Sequence, residues 1–169
     1  LYSLLLNYPA YYPFYDELIF TAKASDNVKL LTKFISENKS TNNFSEYLSA
    51  LINYHENKYS DAVQTLKYKR EFEELYLLSY SYRGLGDYEN ALNILDKSES
   101  LISINNNMIS KVFVSKGSLY LLSGKYDEAE KYYKKGLESA KRFGDRREEI
   151  KALINFAKLD DQNGSVDDA

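Results

Sequence analysis

The chain has 169 residues, 44% apolar and 28% charged, which allows a folded core and argues against a disordered segment. Its net charge of −3 speaks against direct nucleic-acid binding, which needs a basic surface to neutralise phosphate. The absence of cysteine excludes a disulfide framework, a thiolate nucleophile and a zinc–thiolate site, and fits a cytoplasmic protein.

In chain order, the first expected elements are helices over Phe14–Ala24 and Val28–Asn38, beyond the only prolines, Pro9 and Pro13. A looser pair follows at Phe44–His55 and Tyr59–Leu66. The clearest pair is Phe72–Arg83 with Tyr88–Leu101, where Leu75, Leu78, Ser79 and Tyr82 recur at helical spacing. Gly84-Leu-Gly86 should end the first of these helices, and Asp87 should cap the second. Met108–Leu122 and Tyr126–Arg142 form the next pair, joined at Ser123-Gly124-Lys125. Its inner stripe is expected to run Phe113, Gly117, Tyr120, then Ala129, Tyr133 and Leu137. A last helix begins near Arg146, carries Leu153, Phe156 and Ala157, and is expected to break at Asn163-Gly164. Apolar runs such as Leu4–Leu6 are too short to span a bilayer, so no membrane role is expected.

One phrase recurs through these elements. It reads Asn57-Lys-Tyr-Ser-Asp-Ala62, Gly86-Asp-Tyr-Glu-Asn-Ala91, Gly124-Lys-Tyr-Asp-Glu-Ala129 and Gly164-Ser-Val-Asp-Asp-Ala169. Seven residues before each turn residue stands a small side chain: Ala50, Ser79, Gly117, Ala157. Small residues on both sides of a tight turn let two helix backbones approach closely, so each phrase reads as a helical hairpin. The alanines are spaced unevenly, at 29, 38 and 40 residues.

The order small–aromatic–Gly–Tyr–Ala at Ser79…Tyr82…Gly86-Asp-Tyr88…Ala91 and at Gly117…Tyr120…Gly124-Lys-Tyr126…Ala129 resembles the tetratricopeptide repeat (TPR) family. The chain departs from that pattern at Lys116, where leucine is usual, at Asp160, where an aromatic is usual, and in lacking the proline that closes each repeat. The resemblance implies an all-α fold, with antiparallel helix–turn–helix repeats stacked into a right-handed superhelix, an α-solenoid. It implies one repeat domain over 1–169, with a degenerate unit at 12–40, repeats at 43–70, 72–103 and 108–142, and a truncated repeat at 146–169. A start without methionine and a last phrase with no following helix lead us to expect a piece of a longer protein.

Catalytic chemistry has little to work with. His55 is the only histidine, expected at a helix C-terminus as a solvated or dipole-paired group. The carboxylate pairs Glu73/Glu74, Asp160/Asp161 and Asp167/Asp168 are adjacent on helices and diverge, so no catalytic residue, metal site or cofactor is expected. The 17 tyrosines are the marked excess. Tyr59, Tyr82, Tyr88, Tyr120, Tyr126 and Tyr133 fall at core-packing positions. Others fall on the face that lines the concave groove of TPR arrays: Tyr47, Leu51 and Tyr54, then Tyr76, Tyr80 and Arg83, then Val114, Ser118 and Leu121, then Ile154 and Lys158. Aromatic residues there supply contact area at low entropic cost, so the expected partner is another protein or a peptide segment with apolar side chains. TPR co-chaperones clamp a carboxylate with Lys, Asn and Arg, and the Tyr47, Leu51, Tyr76, Leu77, Tyr80 face does not resemble that clamp. The longer repeat intervals resemble sensor regions of transcription regulators, which makes a ligand- or peptide-sensing regulatory domain the alternative. Self-association is expected through the last helix, where Leu153, Phe156 and Val166 lack a following helix to cover them.

Overall fold

The computed structural model describes residues 43–103 and 106–167, together with Lys33, and describes side chains between 46 and 161. The helices expected at 14–24 and 28–38 lie outside the described residues, as do Ala169 and the Val166 side chain. From Asn43 onward there are seven helices and, among the described residues, no strand. They are α1 (Asn43–His55), α2 (Tyr59–Leu66), α3 (Phe72–Gly84), α4 (Tyr88–Ser100), α5 (Met108–Leu122), α6 (Tyr126–Phe143) and α7 (Arg146–Asp167). The chain divides into two compact units, with the boundary between Leu85 and Gly86. The expected pair over 72–103 therefore contributes α3 to the first unit and α4 to the second.

In the first unit, α2 packs on both α1 and α3. Leu48, Ala50, Ala62, Val63, Leu66, Leu75 and Leu78 are buried there. The reversal between α1 and α2 turns on Asn57, whose φ is 61°. Asparagine is among the few side chains that tolerate this left-handed region. Its Oδ1 also accepts a hydrogen bond from the Tyr59 hydroxyl at 2.7 Å. Helix α3 opens on a reciprocal cap, in which the Glu74 carboxylate accepts the Glu71 backbone N–H at 3.3 Å. Glu74 is buried, and burial holds its carboxyl above the usual carboxylate range. The Tyr59 ring lies against Gly84, where a Cβ would come within 2.6 Å of the ring.

In the second unit the α5–α6 interface is the most extensive, and α7 packs on α6 and α5. Asp87 caps α4 by accepting the Asn90 backbone N–H at 3.1 Å. Gly124, at φ 71°, makes the reversal into α6. Two glycines then allow α5 and α6 to close on each other. A Cβ at Gly117 would stand 2.5 Å from the Tyr133 ring, and one at Gly136 would stand 2.7 Å from Val114. The first contact is the close approach expected of Gly117. Gly136 carried no sequence signal, because a glycine inside a helical run looks only like a weak spot. Tyr133 is fully buried among Ala129, Leu159 and Phe156. Phe156 is thus partly covered within its own unit, contrary to the expectation that it awaits another helix.

The expected break at Asn163-Gly164 is absent: α7 runs without interruption to Asp167. Glycine inside a helix costs about 1 kcal/mol relative to alanine, which weakens a helix without ending it. Gly86 and Gly124 stand at true turns with positive φ, and Gly164 likewise stands five residues before an alanine but lies within the helix.

Candidate binding face on the tyrosine ladder

The first unit brings together the aromatic side chains that the sequence placed on one face. Phe72, Tyr76 and Tyr80 stand at successive i, i+4 positions of α3, so their rings follow one another along the helix. Phe72 stacks on Tyr76 at 5.8 Å, and Tyr76 meets Tyr80 at 4.9 Å. The two phenol oxygens are hydrogen-bonded to each other at 3.0 Å. Tyr80 meets the Tyr54 ring of α1 edge-on at 6.2 Å, and Tyr54 contacts Tyr59 of α2 at 5.6 Å. Pairs of this geometry add roughly 0.5–1.5 kcal/mol each beyond area burial, so the rings hold one another in place.

Arg83 closes the ladder. Its guanidinium lies 4.5 Å from the centre of the Tyr80 ring, and its charge acts on the Tyr54 phenol. Burial pushes the Tyr54 phenol above its ordinary range, with Tyr80 and Tyr59 adding to the rise and Arg83 opposing it. No carboxylate among the described residues pairs with Arg83. Tyr54, Tyr76, Tyr80 and Arg83 are all half-buried.

The other expected groove residues are placed differently. Tyr47 and Leu51 are buried in the first unit, and Val114 is buried against Gly136 in the second. They have no free surface to offer, which corrects the expectation of an open face at these three positions. The cause is local. In a closely packed hairpin the arc of a helix facing its partner is wider than the minimal stripe read from spacing. Ser118 is half-buried, and its Oγ receives hydrogen bonds from the Tyr133 hydroxyl at 3.5 Å and from Asn155 Nδ2 at 3.2 Å. It ties α5 to α6 and α7. Lys158 is exposed on α7.

Lys116, noted only as a departure from pattern, proves to be a buried charge. It is 3% exposed, yet its ammonium pairs with Asp96 at 2.5 Å and with Glu99, both on α4. The Tyr132 ring lies 5.6 Å away, itself stacked on Tyr120. Burial opposes the charge, and the two carboxylates more than offset it, so the Lys116 pKa lies above the usual lysine value. Among the described residues, no group of three or more His, Cys, Asp or Glu is placed to hold a metal ion. No described helix is long and apolar enough to cross a membrane.

The tetratricopeptide-repeat family model matches residues 75–105 and 110–143. No curated protein matches the chain. Among solved structures, the chain is similar to PcrH in complex with the chaperone binding region of PopD, at 20% identity and a TM-score of 0.58. That match covers 71% of this chain and 90% of PcrH. It is also similar to the Sgt2 TPR domain from Aspergillus fumigatus, at 16% identity, a TM-score of 0.55, and 70% and 79% coverage. MamA matches at 14% identity and a TM-score of 0.58, over 86% of this chain and 95% of MamA. These likenesses are of fold. Residues 75–105 and 110–143 of this chain are tetratricopeptide repeats within an all-α helical-repeat fold.

Proposed function

We propose that the chain is a non-catalytic protein- or peptide-binding module of the cytoplasm that docks a partner segment on the Tyr54–Tyr76–Tyr80–Arg83 ladder. The observation that carries this reading is the ladder itself. Its four half-buried side chains are ordered by ring contacts and a phenol–phenol hydrogen bond, with a guanidinium at one end that no carboxylate among the described residues neutralises. Rings ordered in advance give contact area without the entropy cost of fixing them on binding. The segment offers apolar side chains to the rings and a hydrogen-bond acceptor to Arg83. The crystallised PcrH complex, in which a protein of this fold holds a region of another chain, supports the same use of the fold.

The test uses 12-residue peptides selected on the wild-type protein from a randomised display library. Replacing Tyr76 and Tyr80 together by alanine should weaken their binding by on the order of 2 kcal/mol or more, as for buried aromatic anchors. Helical circular dichroism should stay close to wild type, and the melting temperature should fall by no more than the lost ring pairs account for. If the double variant loses its helical signal, the rings are core and the assignment fails. It fails equally if selected peptides bind both proteins alike.

A further inference from the structure

Helix α7 turns a second surface outward, on the side opposite its packing against α5 and α6. At about 100° per residue, Arg146, Arg147, Ile150, Leu153, Ile154, Asp160 and Asp161 fall within an arc of roughly 140°. All seven are exposed, while Glu148, Ala152 and Leu159 on the other side are buried. The three apolar members, Ile150, Leu153 and Ile154, are 57%, 50% and 51% exposed.

The order of charges along this arc is the informative feature. Two arginines stand at one end, two aspartates at the other, and the apolar residues lie between them. Arg146 has one partner, Glu149 at 3.2 Å, in an exposed i, i+3 pair worth little. Arg147, Asp160 and Asp161 have no ion pair among the described residues. The arrangement is symmetric about the midpoint between Leu153 and Ile154. Arg146 and Arg147 lie as far before that point as Asp161 and Asp160 lie after it.

We infer that α7 is a self-pairing surface, and that two copies of the chain associate through antiparallel α7 helices about a two-fold axis at Leu153/Ile154. In that pairing Leu153 of one copy faces Ile154 of the other, and the arginine end of each meets the aspartate end of its partner. A two-fold contact must be self-complementary in this way. A parallel pairing would set arginines on arginines and aspartates on aspartates, which is repulsive at both ends. The occupant is therefore a second copy, chosen by charge complementarity. A single helix face covers less than a standard stable interface, so the dimer is weak, with dissociation at micromolar to millimolar concentration, and is loosened by salt.

Sedimentation velocity over a range of protein concentrations tests this. Wild type should show a monomer–dimer equilibrium that weakens as salt rises. Arg146→Glu with Arg147→Glu, and separately Asp160→Lys with Asp161→Lys, should each weaken self-association about tenfold or more, because each sets like charges together. Mixing the two charge-reversed proteins should restore association, since every end then meets its opposite. The chain has no cysteine, so Leu153→Cys can be introduced alone and should oxidise to a disulfide dimer. Arg146→Cys should not, because its two copies lie about 22 Å apart along the axis. All these positions are exposed, and unchanged melting curves serve as the control for folding. A wild type that stays monomeric at millimolar concentration overturns the inference, as does association indifferent to the charge reversals. A mixture that associates no better than its components, or cross-linking at residue 146 equal to that at 153, also overturns it.

Discussion

Replacing Tyr133 by alanine is expected to lower the unfolding free energy by about 3–5 kcal/mol, measured by urea titration, the largest loss for any single change in the second unit. Tyr133 has no solvent exposure and fills the space between α5, α6 and α7. Its ring rests on Gly117, meets Phe156 at 5.6 Å, and is bordered by Ala129 and Leu159. Removing it leaves a cavity that the backbones cannot close, because Gly117 and Gly136 already bring α5 and α6 to close approach. The hydroxyl matters far less. It donates to Ser118 Oγ at 3.5 Å, so Tyr133→Phe should cost well under about 1 kcal/mol. Gly117→Ala supplies the reciprocal probe. Alanine in a helix is favoured over glycine by about 1 kcal/mol, and a methyl group 2.5 Å from the ring should reverse that sign. In a Tyr133→Ala background the same substitution should become stabilising, because the ring it collides with is gone. If Gly117→Ala stabilises the wild-type protein instead, the ring is not seated on that glycine.

The parts of this arrangement that the sequence disclosed are those decided within one turn or one helix. Asn57, Gly86 and Gly124 could be recognised as turn residues because each stands five before an alanine that must lie in a closed hairpin, and all three have positive φ. Ala62, Ala91 and Ala129 are fully buried, as close approach requires. The phrase at Gly164 misled because it has the turn's composition without its φ, and composition alone cannot distinguish a turn from a tolerated glycine. The ladder at Tyr76 and Tyr80 was legible because i, i+4 spacing fixes neighbours on one helix. The part played by Arg83 was not, since it depends on Tyr54 being brought from α1. Gly136 and Lys116 were opaque for the same reason. What each meets, Val114 in one case and Asp96 with Glu99 in the other, lies on a different helix 17 to 22 residues away.

Lys116 gives the second large expected effect. Removing both of its anionic partners, by Asp96→Ala with Glu99→Ala, should cost about 3–5 kcal/mol, because it leaves a buried ammonium uncompensated. Asp96 is largely exposed and Glu99 partly so, which places the expected loss toward the lower end. Lys116→Met, by contrast, should be neutral or stabilising, since the unbranched apolar chain fills a similar volume and needs no counter-charge. Adding Lys116→Met to the double alanine variant should recover most of what that variant loses. The pH dependence has a definite sign. The folded-state pKa of Lys116 is raised, so its contribution is complete below the ordinary lysine value of about 10.4 and is lost as pH rises through the folded value. Wild type should therefore lose stability in strong alkali more steeply than Lys116→Met, with the two curves parallel from pH 6 to 9. If the two acidic residues can be removed for less than about 0.5 kcal/mol, the ammonium reaches water. The contact of α4 with α5 would then rest on apolar packing alone, with Ala91 and Leu95 of α4 as its buried apolar residues.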